Sequence, residues 1–144
     1  IMATAIRILG IDYGSRRIGI AVADRETKIA APLATLNGRN DVTRDARAVA
    51  DLAASENAGE FVVGLPLSMD GTESDQTALT RRFAAELARL SGKPVRLFDE
   101  RLSSFAADDV LDQAEIPQRG RKGLTDRIAA QKILQACLDA DSAL

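Results

Sequence analysis

Carboxylates at three distant points of the chain could do chemistry together: Asp12, the adjacent Asp99 and Glu100, and Asp126. Carboxylates that meet repel one another unless a divalent cation holds them, and Mg²⁺ or Mn²⁺ is the usual ion of an all-oxygen site. Such an ion activates water for the hydrolysis of phosphodiester bonds. The chain has no histidine, which excludes serine-histidine-aspartate triads and histidine metal sites.

Asp12 closes a short apolar run near the start of the chain. The alternation of side chains along a strand places it on the face of Ile6, Ile8 and Gly10, where an unpaired carboxylate would be costly. Asp12 is therefore a candidate metal ligand, although aspartate also precedes Gly-containing turns as a purely structural residue.

Asp99 and Glu100 directly follow a predicted core strand at Val95 to Phe98, a position where α/β sheets gather ligand-binding groups. Adjacent strand residues point to opposite faces, so only one of the two acids reaches a given site. The residues alone leave open which one it is. A surface ion pair with Arg101 is the structural alternative.

Asp126 lies on the same helical face as Ala129, Ala130, Ile133 and Cys137, and we expect this face to pack on the sheet. The small alanines allow a carboxylate there to approach the strand ends, although aspartate in a first helical turn also complements the helix dipole. We therefore predict that acids from three distant segments form a site for Mg²⁺ or Mn²⁺.

Cations suited to phosphate binding lie near these acids in the sequence: Arg16, Arg17, Arg101, Arg119, Arg121 and Lys122. The last three belong to residues 115–124, where Pro and Gly are typical of a loop, and we expect a mobile basic loop. Aromatic residues make up 3% of the chain, so base stacking is not the expected mode of recognition.

The elements that must position these residues follow from the hydrophobic pattern. Apolar runs over residues 6–12 and 17–24 predict a hairpin of central strands, and a third strand is predicted from Ile29 to Leu36, with Pro32 marking an edge or a bulge. A buried strand is predicted over residues 60–64. Helices are predicted after Asp41, after Gly71, from Ser103 and from near Thr125. This order predicts an α/β fold whose mixed central sheet carries helices on both faces.

Length and charge limit the classes of protein. The 144 residues fit one domain, expected over residues 6–140, and the formal net charge of -2 means that any polyanion site must be local. The single Cys137 can form no internal disulfide, and no apolar run approaches the ~20 residues of a membrane helix. We expect a cytoplasmic protein without a signal segment and without membrane contact.

Four stretches of this sequence resemble the YqgF family of pre-16S rRNA nucleases, also called RuvX. They are Leu9 to Ala21, Val63 to Glu73, Phe98 to Ser104 and Arg121 to Asp126, in order across about residues 6–139. The resemblance implies a ribonuclease-H-like fold, related to Holliday junction resolvases. It also implies a cytoplasmic bacterial nuclease that acts in 5′-end processing of pre-16S rRNA.

The resemblance also implies roles for individual residues. The acidic site of the family corresponds to Asp12, Glu100 and Asp126, which selects Glu100 over Asp99, and Asp70 is a candidate supporting acid. A fourth carboxylate is not obvious, so one bound metal ion and two both remain open.

By the same resemblance, Arg16 and Lys122 hold the scissile or flanking phosphates. The implied cofactor is Mg²⁺ or Mn²⁺, and the implied partner is structured RNA, with branched DNA as an alternative. We expect a monomer or a weak homodimer.

Three other functions remain open. A DNA junction resolvase would use the same acids and usually acts as a symmetric dimer. A nucleotide-binding relative of actin and the sugar kinases is opposed by length, because those proteins close two such domains over the nucleotide. A non-catalytic ribosome-maturation module would keep the acids without binding a metal ion.

Overall fold

The computed structural model describes residues 6–103 and 121–142, with residues 121 and 122 described by their backbone alone. The chain forms β1 (Arg7–Tyr13), β2 (Arg17–Asp24), β3 (Ala31–Asn37), α1 (Val42–Ser55), β4 (Ala58–Leu65), α2 (Asp75–Ser91), β5 (Val95–Asp99), a 3₁₀ turn (Glu100–Leu102) and α3 (Arg121–Ser142). The predicted helix from Ser103 falls almost wholly on residues 104–120, outside the described residues.

The sheet has the strand order β3-β2-β1-β4-β5. β1 pairs antiparallel with β2 and parallel with β4, so the sheet is mixed, as predicted. The predicted hairpin is confirmed. β3 lies at one edge, and its pairing with β2 shifts register where Pro32 stands opposite Ala21, which confirms both the edge and the irregularity.

Helices cover both faces of the sheet because the side chains of β1 alternate. Leu9 and Ile11 enter a core shared with α1 and α2, whereas Ile8 enters a second core under α3. Gly10 also faces α3, since a Cβ built there would lie 2.6 Å from Leu134 Cβ. The predicted arrangement of helices on both faces is therefore confirmed.

Local sequence signals account for the helix ends. The Asp41 carboxylate accepts a hydrogen bond from the backbone N–H of Arg44 at 3.1 Å, which confirms the predicted N-cap of α1. Ser74 and Thr77 form a capping box at the start of α2, and Gly92 ends that helix with φ 68°.

Two predictions about the elements are wrong. β5 is an edge strand with only Phe98 buried, because among the described residues it pairs with β4 alone. α3 already includes Arg121, whereas a start near Thr125 was predicted, so residues 121–124 of the predicted basic loop are helical, and residues 115–120 lie outside the described residues. Arginine and lysine are good helix formers, and the hydroxyl of Thr35 on β3 donates to the Gly123 carbonyl at 2.6 Å, so this polar stretch is held as a helical turn.

Among the described residues, no helix has both the length and the apolar character needed to cross a bilayer.

Candidate active site

Asp12 lies near the end of β1, where it pairs with Gly19 of β2. Its side chain is partly buried and points to the α3 face of the sheet, since Ile8 and Gly10 point there and strand residues alternate. The sequence-based placement of Asp12 on this face is confirmed.

Glu100 follows β5 and crosses β4 to reach Asp12. A Cβ at Gly64 of β4 would lie 2.8 Å from Glu100 Oε1 and 2.9 Å from Glu100 Cγ, so the Glu100 side chain occupies the space above this glycine. There it forms a hydrogen bond with the Asp12 carboxyl. The structure therefore turns Glu100, and not Asp99, toward Asp12.

The two carboxyl groups share a proton. Burial, the charge of Asp12 and the hydrogen bond to Asp12 raise the pKa of Glu100 to about 7. Burial also raises the pKa of Asp12, and the nearby charge of Asp126 adds to this, whereas the hydrogen bond from Glu100 acts in the opposite direction. Burial of the pair thus favours its protonated form, which allows a hydrogen bond between the two carboxyl groups.

Asp126 approaches the pair from the first turns of α3. A Cβ at Gly19 would lie 2.0 Å from the Asp126 carbonyl oxygen, so only glycine lets this helix come so close to β2. Because Gly19 pairs with Asp12, this contact sets Asp126 beside the carboxyl pair. Its Oδ2 accepts a hydrogen bond from Arg17 Nε at 2.6 Å.

The donor set is chemically suited to a divalent cation, because two carboxyl groups that share a proton can exchange it for an ion. Within residues 6–103 and 121–142, however, no three Asp, Glu or Cys side chains are arranged to hold an ion together. Asp126 is engaged by Arg17 instead. The structure thus brings two of the predicted ligands into contact and sets the third nearby.

The predicted nucleic-acid-binding cations divide into three groups. Arg16 is exposed in the turn after Asp12. Arg17 and Arg101 are engaged within the protein, Arg101 with Asp99 at 2.7 Å and with the Met69 carbonyl at 3.2 Å. Arg119 and the side chains of Arg121 and Lys122 lie outside what the structure describes.

Asp70, the candidate supporting acid, lies in the exposed loop before α2. Its carboxylate accepts hydrogen bonds from the backbone N–H and the hydroxyl of Thr72, at 3.0 and 2.7 Å. These bonds lower the pKa of Asp70 and hold the side chain within its own loop.

A fully buried carboxylate behind the site was missed by sequence reasoning. Asp45 of α1 accepts a hydrogen bond from the Tyr13 hydroxyl at 2.7 Å and one from the Arg39 backbone N–H at 2.8 Å. Its position, three residues after Val42 and four before Val49 on the apolar face of α1, was the available signal, because an acid among core positions needs a partner.

Comparison with solved structures defines the fold. The chain is similar to Thermus thermophilus RuvC bound to a Holliday junction substrate, with a TM-score of 0.57 and 16% identity over 95% of this chain and 96% of that one. Thermus thermophilus RuvC in a second structure gives a TM-score of 0.57 at 15% identity, covering 96% and 97% of the two chains. The predicted ribonuclease-H-like fold is confirmed.

Within that fold, the chain belongs to the RuvX family, whose model is described as Holliday junction resolvase and matches residues 6–140. A relative from Anaeromyxobacter dehalogenans, named "Putative pre-16S rRNA nuclease", is 44% identical over 134 residues, which cover 93% of this chain and 97% of the relative. A relative of the same name from Rhodopseudomonas palustris is 42% identical over 132 residues, covering 92% and 82%.

Proposed function

We propose that this protein is a metal-dependent endonuclease that hydrolyses phosphodiester bonds of structured RNA, with 5′-end processing of pre-16S rRNA as its role. The observation that carries the proposal is the position of the Glu100 side chain, which lies over Gly64 and reaches the Asp12 carboxyl group at the end of the central strand. The name of the relatives at 42% and 44% identity supports RNA as the substrate.

Asp12 and Glu100 would hold Mg²⁺ or Mn²⁺ after releasing their shared proton, and Asp126 would complete the set. The ion, when bound, supplies the Lewis acidity that lowers the pKa of water and stabilises charge on the phosphate. Arg17 neutralises Asp126 in the metal-free protein. Arg16, exposed beside the acids, would bind a flanking phosphate, and the same role is proposed for Arg119, Arg121 and Lys122.

The cytoplasm is the proposed location of the reaction, because a processing nuclease acts where ribosomal precursors are found. The expected state is a monomer or a weak homodimer, because trimming of one RNA strand needs one active site. Folding of residues 6–140 as one unit is part of the same proposal.

A DNA junction resolvase is the second candidate. The family model carries that description, and the solved relative with a TM-score of 0.57 is bound to a Holliday junction. A resolvase must cut two strands in a coordinated way, so this function would require a symmetric dimer.

A side-by-side cleavage assay tests both candidates. End-labelled precursor rRNA and a four-way DNA junction are offered with Mn²⁺ to the wild type, to Asp12→Asn, and to Asp141→Asn. Asp141 is the matched control, because it is an exposed carboxylate paired with Arg96, which lies near the start of β5, whereas Glu100 follows the end of that strand.

We expect cleavage of the RNA alone, lost in Asp12→Asn and on chelation and kept in Asp141→Asn. Symmetric cleavage of the junction would instead support the resolvase. If neither substrate is cut in an Asp12-dependent way, a nuclease function is refuted and a binding role in ribosome maturation is favoured.

A further inference from the structure

A group of exposed arginines lies on the face of the sheet opposite to Asp126. Arg39 precedes α1, Arg44 and Arg47 lie on its first turns, and Arg82 lies on the neighbouring helix α2. We call these four residues the arginine surface. None of them belongs to the set of cations predicted from the sequence.

Within residues 6–103 and 121–142, the members of this surface have no counter-ions. Most other arginines of the described chain form ion pairs, namely Arg7, Arg17, Arg25, Arg81, Arg89, Arg96 and Arg101. Among the described residues, by contrast, no carboxylate lies within ion-pair distance of the four guanidinium groups. Two exposed acids, Asp41 and Asp51, share this surface, so four cations outnumber them.

The surface is concave and continuous. Arg39, Arg44 and Arg47 line an open groove of ≈ 410 Å³. Arg82 lines an adjoining cavity of ≈ 330 Å³. Thr43 lines both, so the two depressions meet.

The same surface reaches the turn that carries the candidate active site. Tyr13 and Ser15, which follow Asp12 in the chain, line the ≈ 330 Å³ cavity. The backbone N–H of Gly38 donates to the Arg16 carbonyl at 2.7 Å, so the segment before α1 is docked on this turn. A nucleic-acid strand that lies on the acids of the candidate active site and on Arg16 therefore needs only to pass over the β1–β2 turn to enter the groove.

We propose that the arginine surface binds the sugar-phosphate backbone of the nucleic acid on one side of the cleavage point, so that the substrate wraps over the β1–β2 turn. Guanidinium groups without internal partners repel one another, and a polyanion removes that repulsion while gaining charge-assisted hydrogen bonds. Hydroxyl and amide groups of Ser15, Thr43 and Asn40 line the same depressions and suit phosphate or sugar contacts. The inference rests on the proposed nuclease function for the identity of its ligand.

Binding in chelator, where no cleavage occurs, tests this surface separately from catalysis. The wild type is compared with Arg44→Gln/Arg47→Gln and with the control Arg25→Gln/Arg96→Gln, which removes the same charge from a separate depression beside the end of β2 and the start of β5. The ligands are a structured rRNA precursor, the same RNA truncated to a few nucleotides on either side of the cleavage point, and a four-way DNA junction. Dissociation constants are measured from 50 to 300 mM salt, and folding is checked by thermal denaturation.

We expect the Arg44/Arg47 variant to bind the long RNA about tenfold more weakly, with a salt slope smaller by about 1.5, because each lost phosphate contact removes about 0.7 to 0.9. The control variant should bind the long RNA as the wild type does. The truncated RNA should bind the wild type and the Arg44/Arg47 variant with similar affinity, because it does not reach the groove. If the Arg44/Arg47 variant loses more affinity for the DNA junction than for the RNA, the bound backbone is that of DNA.

Equal affinities and slopes for the wild type and the Arg44/Arg47 variant would refute this surface and leave the nuclease proposal intact. Failure of the wild type to bind any of these ligands, or equal competition by polyglutamate, would also refute it. Conversely, the Arg44/Arg47 variant could bind the long RNA more weakly, as expected, while cleavage survives Asp12→Asn. That pair of results would refute the proposed active site alone.

Discussion

At the scale of single residues, the site depends as much on two glycines, which have no side chain, as on its acids. Gly64 leaves the space that Glu100 occupies on its way to Asp12, and Gly19 lets the backbone at Asp126 lie against β2. Glu100 and Asp126 are thus each positioned through a glycine on a neighbouring element. These glycines make contact possible and contribute no chemistry of their own.

Replacement of Gly64 by Ala should therefore impair the site more than the fold. The new Cβ would lie 2.8 Å from Glu100 Oε1 and 2.6 Å from Ile133 Cδ1, so both side-chain ends must move. We expect a loss of about 1–3 kcal/mol in the free energy of unfolding. Cleavage and Mn²⁺ affinity should fall at least tenfold, since misplacement by about 1 Å can cost 100-fold in rate.

The control for this variant is Gly59→Ala on the same strand, where the nearest atom is Ile6 Cγ2 at 3.1 Å. It should retain cleavage and Mn²⁺ affinity. Unchanged cleavage in Gly64→Ala would contradict the role assigned to the Glu100 position.

The raised pKa of Glu100 predicts an unusual pH dependence of stability. Its pKa is about 7 in the folded protein against an ordinary value of 4.5, so the folded state holds more protons between these values. In metal-free buffer, this group's contribution is full below pH 4.5 and is lost as the pH rises to 7 and beyond. After allowance for solvent screening, the loss is on the order of 2 kcal/mol.

Denaturant unfolding from pH 4.5 to 8 measures this dependence, and Glu100→Gln is the matched control. The glutamine amide can donate to Asp12 at every pH, so the difference in stability between variant and wild type should shift in favour of the variant as the pH rises. Parallel pH profiles for the two proteins would show that Glu100 does not hold the proton.

At the scale of elements, the end of β1 is fixed from behind by α1 and α2. The Tyr13 hydroxyl donates to buried Asp45, its ring stacks on Phe83 with centroids 4.1 Å apart, and its carbonyl accepts from Gln76 at 3.1 Å. Burial and Asp45 raise the pKa of Tyr13, so the phenol remains a donor. Since Asp12 is the preceding residue, these contacts also limit where its carboxylate can move.

A double-mutant cycle on Tyr13→Phe and Asp45→Ala should reveal strong coupling. Asp45→Ala leaves the buried tyrosine hydroxyl and the Arg39 N–H without their acceptor, so we expect a loss of about 3 kcal/mol in unfolding free energy. The coupling energy should be about 1 kcal/mol or more. The exposed contact between Thr43 and Glu86, at 3.4 Å, serves as the reference and should couple by less than about 0.5 kcal/mol. Equal coupling energies in both pairs would show that the buried Tyr13–Asp45 hydrogen bond stabilises the protein no more than an exposed contact does.

At the scale of the whole molecule, charge is distributed unevenly despite a net charge of -2. Two partly buried carboxyl groups meet at one end of the central strand, and arginines that form no ion pair with the described residues lie across the adjacent turn. The proposed substrate would neutralise the arginines, and a divalent ion would neutralise the acids. Both ligands should therefore stabilise the folded chain.

Mn²⁺ should raise the melting temperature in a pH-dependent way. An ion present at 100 times its Kd adds about 2.7 kcal/mol, which corresponds to several degrees for a chain of this size. The shift should be large at pH 8 and small at pH 5, because the proton on Glu100 competes with the ion. Differential scanning calorimetry of the wild type, Asp12→Asn and the Asp141→Asn control measures this effect. A shift of equal size in Asp12→Asn would place the ion elsewhere.

Hydrophobic periodicity was sufficient to locate the strands along the chain, because buried strand runs and their turns are local patterns. The hairpin, the edge position of the Pro32 strand, the Asp41 cap and the face of Asp12 all follow from neighbours within a few residues. β5 was misjudged as a core strand because its composition is apolar, while its position at the edge depends on the order of strands in space.

By itself the sequence determined the class of fold, the absence of histidine chemistry and the three acids worth considering. The residues alone left Asp99 and Glu100 open, the family resemblance implied Glu100, and the tertiary structure brings Glu100 to Asp12. Only the tertiary structure decided that Arg17 and Arg101 are engaged by internal acids, and that arginines without an ion pair to any described residue gather around α1 and α2. The physical reason is that periodicity reports which face a side chain occupies. Partnerships between charges depend instead on distances across elements that lie far apart in the chain.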